Sequence, residues 1–178
     1  MDSHGTAGVL VMILMLAAMP PAQAAELPSV CCQVSMGIGG TYHYWAQTGG
    51  IVVPLTVAWS AGRYELGVFR MATAQSLETA GMPPAHRVAD PYWGFSASRR
   101  WRLFGPASVP VFVGLGISYK TEHDGLVSTR WNFAEQLGVQ FRFKGGASAV
   151  ELCVRHWSNA GLRLPNRGQD FVTLTYAF

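Results

Sequence analysis

The stretch that decides the fold is Val150–Phe178, which reads VELCVRHWSNAGLRLPNRGQDFVTLTYAF. Apolar and polar residues alternate along Val150–Arg155 and again along Phe171–Phe178. Period-two alternation is typical of a β-strand with one apolar face. The residues between them include Gly, Asn and Pro, which favour turns. We therefore predict a β-hairpin whose two strands are joined by a loop at Asn159–Gly168.

The same alternation occurs six more times upstream. The segments are Val34–Gly39, Ile51–Trp59, Arg63–Val68, Tyr92–Ala97, Val109–Ser118 and Phe133–Phe143. The connections alternate in length as well. Shorter ones lie at Ala61-Gly62, Arg99–Ala107 and Lys144–Ala147, and longer ones at His43–Gly49, Thr73–Asp90, Lys120–Arg130 and Asn159–Gly168. The sequence thus predicts an all-β fold of eight strands without helices.

Eight strands of this kind form either a soluble barrel or sandwich that is apolar inside, or a membrane barrel that is apolar outside. Alternation alone does not separate the two. Short turns at one end with long loops at the other, and aromatic residues near strand ends, are typical of outer-membrane barrels. The terminal Tyr176-Ala177-Phe178 resembles the aromatic signature that the outer-membrane assembly machinery recognises. We predict an eight-stranded antiparallel up-and-down transmembrane outer-membrane β-barrel, with the Asn159–Gly168 loop at the outer leaflet.

Composition agrees with an exported membrane protein. Of the 178 residues, 49% are hydrophobic and only 13% are charged, and the net charge of +3 fits an anionic surface without requiring one. Val9–Ala18 is apolar but too short to span a bilayer, and Ala22-Gln23-Ala24 matches a signal-peptidase site. We predict a cleavable signal peptide at residues 1–24 and a single barrel domain at residues 25–178.

The three cysteines, Cys31, Cys32 and Cys153, lack metal-ligand spacing and are interpreted as free or loosely paired thiols. We expect no metal site, no cofactor and no nucleic-acid partner.

Three polar residues of the hairpin are expected on its lipid-facing side. Alternation places His156 and Ser158 on the face of Val154, and Asp170 on the face of Val172. A serine becomes a nucleophile when a histidine accepts its proton, and an acid on the other ring nitrogen orients that histidine. Polar residues at a barrel rim are also common without any function. A nucleophile on the outside of a barrel meets only lipid, so the predicted substrate is a lipid ester.

The hairpin loop also resembles a known family. His156-Trp157-Ser158-Asn159-Ala160-Gly161-Leu162, followed by Pro165-Asn166, Gly168 and Asp170, resembles the signature of PagL, the outer-membrane lipid A 3-O-deacylase. Weaker matches lie at Asn132-Phe133, Leu137-Gly138 and Pro110–Gly116.

The resemblance implies an eight-stranded outer-membrane enzyme that hydrolyses the ester-linked 3-hydroxyacyl chain of lipid A without a metal. It implies Ser158 as nucleophile and His156 as base. The matching acid is Asp170, where the family usually has Glu. Because Asp is shorter by one methylene, we expect a longer contact to His156 or a backbone shift. Glu135 is the reserve acid, expected on the lipid face roughly opposite His156.

Further residues are candidates for supporting roles. Donors to the oxyanion of the tetrahedral intermediate are sought at Asn159, Gly161 and Asn166. Cations that could contact the lipid A head group are Lys120, Arg130, Arg163 and Arg167.

Two other functions stay open at this stage. One is an outer-membrane phospholipase, although that family uses Asn as its third catalytic residue on a larger barrel. The other is a non-catalytic barrel with structural or adhesive loops, which gives no reason for Ser, His and an acid to share a lipid face.

Overall fold

The computed structural model describes residues 32–42, 50–60, 63–73, 91–122, 127–144, 148–164, 166 and 168–178. The predicted signal peptide, Cys31 and Arg167 lie outside these ranges, so their roles remain predictions.

Eight antiparallel strands close into one barrel in sequence order, and β8 pairs with β1. The strands are β1 Cys32–Tyr42, β2 Gly50–Trp59, β3 Tyr64–Thr73, β4 Tyr92–Phe104, β5 Val111–Lys120, β6 Trp131–Arg142, β7 Ala149–Ser158 and β8 Gln169–Ala177. The segments 43–49, 74–91, 121–130 and 159–168 join strands at one end, called the outer end below. Shorter turns at 60–63, 105–110 and 143–148 join them at the other. The predicted up-and-down topology is confirmed.

The two faces of the wall differ in polarity as a membrane barrel requires. Large apolar side chains point outward and are exposed, among them Ile38, Leu55, Leu66, Phe95, Ile117, Leu137, Leu152 and Leu174. Polar side chains point inward and are buried, among them Thr56, Glu65, Ser98, Arg100, Gln136, Gln140, Glu151, Arg155 and Thr173. A soluble barrel would have the opposite arrangement, so the membrane prediction is confirmed. No helix in the described part of the chain is long and apolar enough to cross a membrane.

Strand β4 is longer than the sequence indicated. The alternation predicts a strand that ends at Ala97 and a connection at Arg99–Ala107, whereas β4 continues to Phe104. The arginines do not interrupt the strand because alternation sends the Arg100 side chain into the barrel. There it forms salt bridges with Glu65 and Glu151.

The barrel interior is filled by two layers of side chains. Nearer the short turns, Arg155 also pairs with Glu65, with Nη1 and Oε1 2.8 Å apart, so two buried cations and two buried anions compensate one another. Nearer the outer end lies an apolar cluster. It consists of Val52, Phe69, Met71, Tyr92, Ala134, Trp157 and Phe171. Because the interior is filled, the outer wall is the surface on which lipid chemistry must take place.

Candidate active site on the outer wall

His156 and Asp170 contact each other directly across β7 and β8. The two residues are cross-strand partners, and His156 Nδ1 lies 2.6 Å from Asp170 Oδ1. Their side chains are 36% and 29% exposed, so the pair is accessible from the lipid side. The expected lengthening of this contact is not found. The β7–β8 pairing runs without a register shift, and the shorter carboxylate reaches the ring because it lies directly opposite.

Glu135 occupies the other side of His156. It is the cross-strand partner of His156 on β6, so the imidazole lies between two acids at one level of the wall. Among the described contacts, only Asp170 is hydrogen-bonded to the ring. Asp170 is therefore placed to orient the imidazole, and Glu135 acts on it only through its charge.

Ser158 ends β7 on the same outward side as His156. Its cross-strand partner is Phe133, whose ring is exposed on the outer wall. Residues two positions apart on a strand share a face and lie about 6.7 Å apart. Because Nδ1 of His156 is directed to Asp170, Nε2 is the ring nitrogen left for a second partner. Ser158 itself is only 8% exposed, so its hydroxyl is largely screened from solvent.

Trp157, between these two residues, anchors the outer end of β7 from inside. Its ring packs edge-on against Phe69 and Phe171, with centroids 5.3 and 5.1 Å away. It also lies over Gly94, where a Cβ would come within 2.6 Å of the indole. A bulky side chain held in the interior fixes which face of the strand each residue occupies. The side chains of His156 and Ser158, on either side of Trp157, must then point outward. Trp157 is part of the sequence motif, but the sequence does not indicate this role.

The main chain of Gly168 lies close to the imidazole of His156. A Cβ on this residue would lie 2.3 Å from Cε1 of His156 and about 3 Å from both ring nitrogens. Its φ of 72° lies in the left-handed region, which favours glycine. The ring thus lies close to the main chain of Gly168 and is also hydrogen-bonded to the carboxylate of Asp170. This contact was also missed from sequence, where Gly168 reads only as a turn residue.

Asn159 braces the loop that follows Ser158. Its side-chain Nδ2 donates to the carbonyl of Arg163 at 2.7 Å, and its Oδ1 accepts from the N–H of Gly161 at 3.0 Å. Its own main-chain N–H donates to Oδ1 of Asn166 at 3.0 Å. The candidate oxyanion donors Asn159 and Gly161 are therefore already engaged within the loop. The described contact of the Asn166 side chain uses Oδ1 as the acceptor and does not involve its amide Nδ2 as a donor.

A mostly apolar groove of about 520 Å³ on the outer wall includes Phe133, the cross-strand partner of Ser158, and Asn159, the next residue in the chain. It is lined by Ile117, Ser128, Thr129, Arg130, Trp131, Asn132, Phe133, Asn159, Leu162 and Arg163. Two of the predicted head-group cations, Arg130 and Arg163, are among these residues. Lys120 is not: it is the last residue of β5, and alternation buries its side chain completely instead of placing it in the loop. Lys120 is therefore withdrawn as a head-group contact.

The apolar outer wall, the filled interior and the polar pair on the lipid side define a class, the small enzymes built on outer-membrane β-barrels. Residues 34–178 match the family model described as PagL, lipid A 3-O-deacylase. The chain belongs to this family. It is accordingly a lipid A deacylase of the bacterial outer membrane, a hydrolase that acts on ester bonds.

Solved structures share the fold at low sequence identity. The crystal structure of the outer membrane enzyme PagL is 20% identical, covers 82% of this chain and 98% of its own, and superposes with a TM-score of 0.58. Neisserial surface protein A is 10% identical, covers 82% of this chain and 92% of its own, and has a TM-score of 0.50. At these identities the likeness concerns the fold alone. No curated protein matches the sequence significantly.

Proposed function

We propose that the protein is a serine esterase that removes the 3-hydroxyacyl chain from position 3 of lipid A in the outer leaflet. Ser158 is the nucleophile, His156 the general base and acid, and Asp170 the acid that orients the histidine. The observation that supports these roles is the 2.6 Å contact between His156 and Asp170 on the same outward face as Ser158. Lipid A, as the family's substrate, supplies the ester.

The proposed reaction has two halves. Ser158 Oγ attacks the ester carbonyl carbon while its proton passes to Nε2 of His156. The tetrahedral intermediate then collapses, and the sugar 3-oxygen leaves with that proton, so the acyl chain stays on Ser158. Water attacks the acyl carbonyl, His156 accepts the water proton and returns it to Oγ, and the free hydroxy fatty acid departs. Asp170 stabilises the imidazolium formed in each half.

The oxyanion of both intermediates requires a fixed donor, which is worth about 2.7–4 kcal/mol in typical esterases. We assign this role to Asn166, whose side chain is held by the N–H of Asn159. The isolated bridge between Val127 and Asn166 keeps this part of the loop against the neighbouring one. The N–H of Gly161 becomes a second donor only if its bond to Asn159 opens.

The proposal also covers export and assembly. Residues 1–24 act as a cleavable signal peptide that leaves residues 25–178 as the barrel domain. Phe178 is recognised by the outer-membrane assembly machinery; its ring is 62% exposed and stacks on Tyr176.

Mass spectrometry of lipid A from a Gram-negative host expressing the protein tests this function. Wild-type protein should remove one hydroxyacyl chain, and tandem fragmentation should locate the loss at position 3. Ser158→Ala should abolish the loss, whereas Ser148→Ala, in the turn at the opposite end of the barrel, should not. Loss of a chain from another position would refute the regiochemistry. Intact lipid A with accumulating lysophospholipid would indicate a phospholipase, and no lipid change would indicate a non-catalytic barrel.

A further inference from the structure

The groove beside Ser158 combines an apolar wall with two cationic residues. Ile117, Trp131 and Phe133 project from β5 and β6, and Leu162 approaches from the loop after β7. Arg130 and Arg163 contribute from the segments before β6 and after β7. Both arginines are exposed. A surface of this kind suits an amphiphile whose apolar part contacts the wall and whose anionic part meets the guanidinium groups.

Within the described part of the chain, the guanidinium groups of Arg130 and Arg163 form no ion pair with an acidic residue. None of the described residues that line the groove is acidic. The neighbouring hydroxyl groups are engaged. Ser128 donates to the carbonyl of Arg163, and Thr129 donates to Oδ1 of Asn132. The first bond joins the two segments and the second lies within one of them. Neither involves a guanidinium group, so the described contacts leave both arginines available to a ligand.

The groove lies next to the proposed nucleophile. Ile117, Phe133 and Ser158 are successive cross-strand partners, so they form one row across β5, β6 and β7. Trp131 and its partner Tyr119, whose ring centroids are 5.0 Å apart, lie one step closer to the outer end. The arginines come next in that direction, on the loop side of the aromatic pair. The order from the membrane outward is therefore apolar row, aromatic pair and cations.

We propose that Arg130 and Arg163 bind a phosphate group of lipid A while its apolar part contacts the groove wall. The inference rests on the proposed function and specifies which feature of the substrate the enzyme recognises. A glycolipid phosphate fits the position because it lies at the head-group level, just above the ester that Ser158 attacks. Arginine presents a planar fork of donors that matches phosphate oxygens, and such charge-assisted bonds are stronger than neutral ones.

Binding to an inactive variant separates this site from catalysis. Purified Ser158→Ala protein in detergent is titrated with lipid A and with the same lipid A after enzymatic removal of its phosphates, and intrinsic tryptophan fluorescence reports binding. Phosphorylated lipid A should bind more tightly. Adding R130Q or R163Q should reduce that preference about tenfold each, because each removes one charge-assisted contact.

Arg70→Gln provides the matched control. Arg70 is another arginine near the outer end, but it lies on β3, where it stacks on Trp93 and donates to the carbonyl of Pro91. R70Q should keep the wild-type preference for the phosphorylated lipid. The proposal is overturned if R130Q and R163Q leave the preference unchanged, or if R70Q reduces it equally. Failure of the proposed deacylation would instead appear as unchanged lipid A with the protein that retains Ser158, while the binding preference would persist.

Discussion

Replacing Gly168 by alanine tests whether the main chain of this residue positions the imidazole of His156, the proposed general base. The added methyl group would lie 2.3 Å from Cε1 of His156, well inside ordinary van der Waals contact. Gly168 cannot easily move aside, because the next residue, Gln169, begins β8 and pairs with Trp157. The ring must therefore shift, and the perturbation acts directly on the proposed base.

The expected size of the effect follows from that contact. An ordinary contact of at least 3.4 Å requires the ring to move by about 1 Å from its present 2.3 Å. Such a shift moves Nδ1 and Nε2 of His156 out of their present positions and so disturbs the geometry of its 2.6 Å bond to Asp170. Misplacement of a catalytic group by about 1 Å typically costs about a hundredfold in rate. The backbone strain of alanine at a positive φ adds about 1–2 kcal/mol of destabilisation.

Lipid A deacylation by purified G168A is compared with wild type, and kcat should fall about a hundredfold while the barrel stays folded. The matched control is Gly105→Ala. Gly105 also has a positive φ, of 95°, and a Cβ there would lie 2.3 Å from the carbonyl oxygen of Val109. It lies in the turn at 105–110, far from the site, so G105A should lose stability but not intrinsic activity.

Two results would refute the reasoning. A folded G168A enzyme with wild-type kcat would show that Gly168 does not hold the ring. An equal loss of kcat in G105A would show that general destabilisation, and not the position of His156, reduces the activity.

Three further outcomes are expected. Asp170→Asn should lower kcat by up to about four orders of magnitude, as loss of the orienting acid does in serine hydrolases. Glu135→Gln should change kcat less than tenfold. Steady-state kinetics that show the opposite ranking would make Glu135 the acid. Trp157→Ala should lower the free energy of unfolding by about 3–5 kcal/mol, because it removes the interior anchor. The urea midpoint of the refolded barrel measures this loss, and an unchanged midpoint would contradict the packing role. Glu65→Ala should lower the free energy of unfolding by about 3–5 kcal/mol, because it leaves the charge of Arg155 partly uncompensated in the interior. A urea midpoint like that of wild type would mean that water compensates this charge.

The architecture was predictable because the alternation of side chains along a strand determines which residues face the lipid and which face the barrel interior. Once eight such segments were identified, parity alone placed His156, Ser158 and Asp170 outside and Glu151 and Arg155 inside. Antiparallel pairing predicted Asp170 at the level of Ser158 and His156, and the register of β7 and β8, which has no bulge, places it directly opposite His156. Alternation also predicted Glu135 on the level of His156.

The remaining features depend on contacts in three dimensions, which the alternation of side chains along a strand does not reveal. Arg100 looked like part of a polar turn because its salt-bridge partners, Glu65 and Glu151, are far away in sequence. Lys120 looked like a loop residue, although one more residue of β5 turns its side chain into the interior. The contact of Gly168 with His156 involves main-chain atoms, so no pattern of side chains in the sequence predicts it.

The outward position of His156 and Ser158 determines how the substrate arrives. The lumen is filled by the charged layer and by the cluster around Trp157, so the substrate approaches by lateral diffusion along the membrane plane. The concentration that governs turnover is then the surface density of lipid A, and not its amount per volume. Diluting lipid A with inert detergent at constant bulk concentration should slow the enzyme, as expected for a catalyst working in two dimensions.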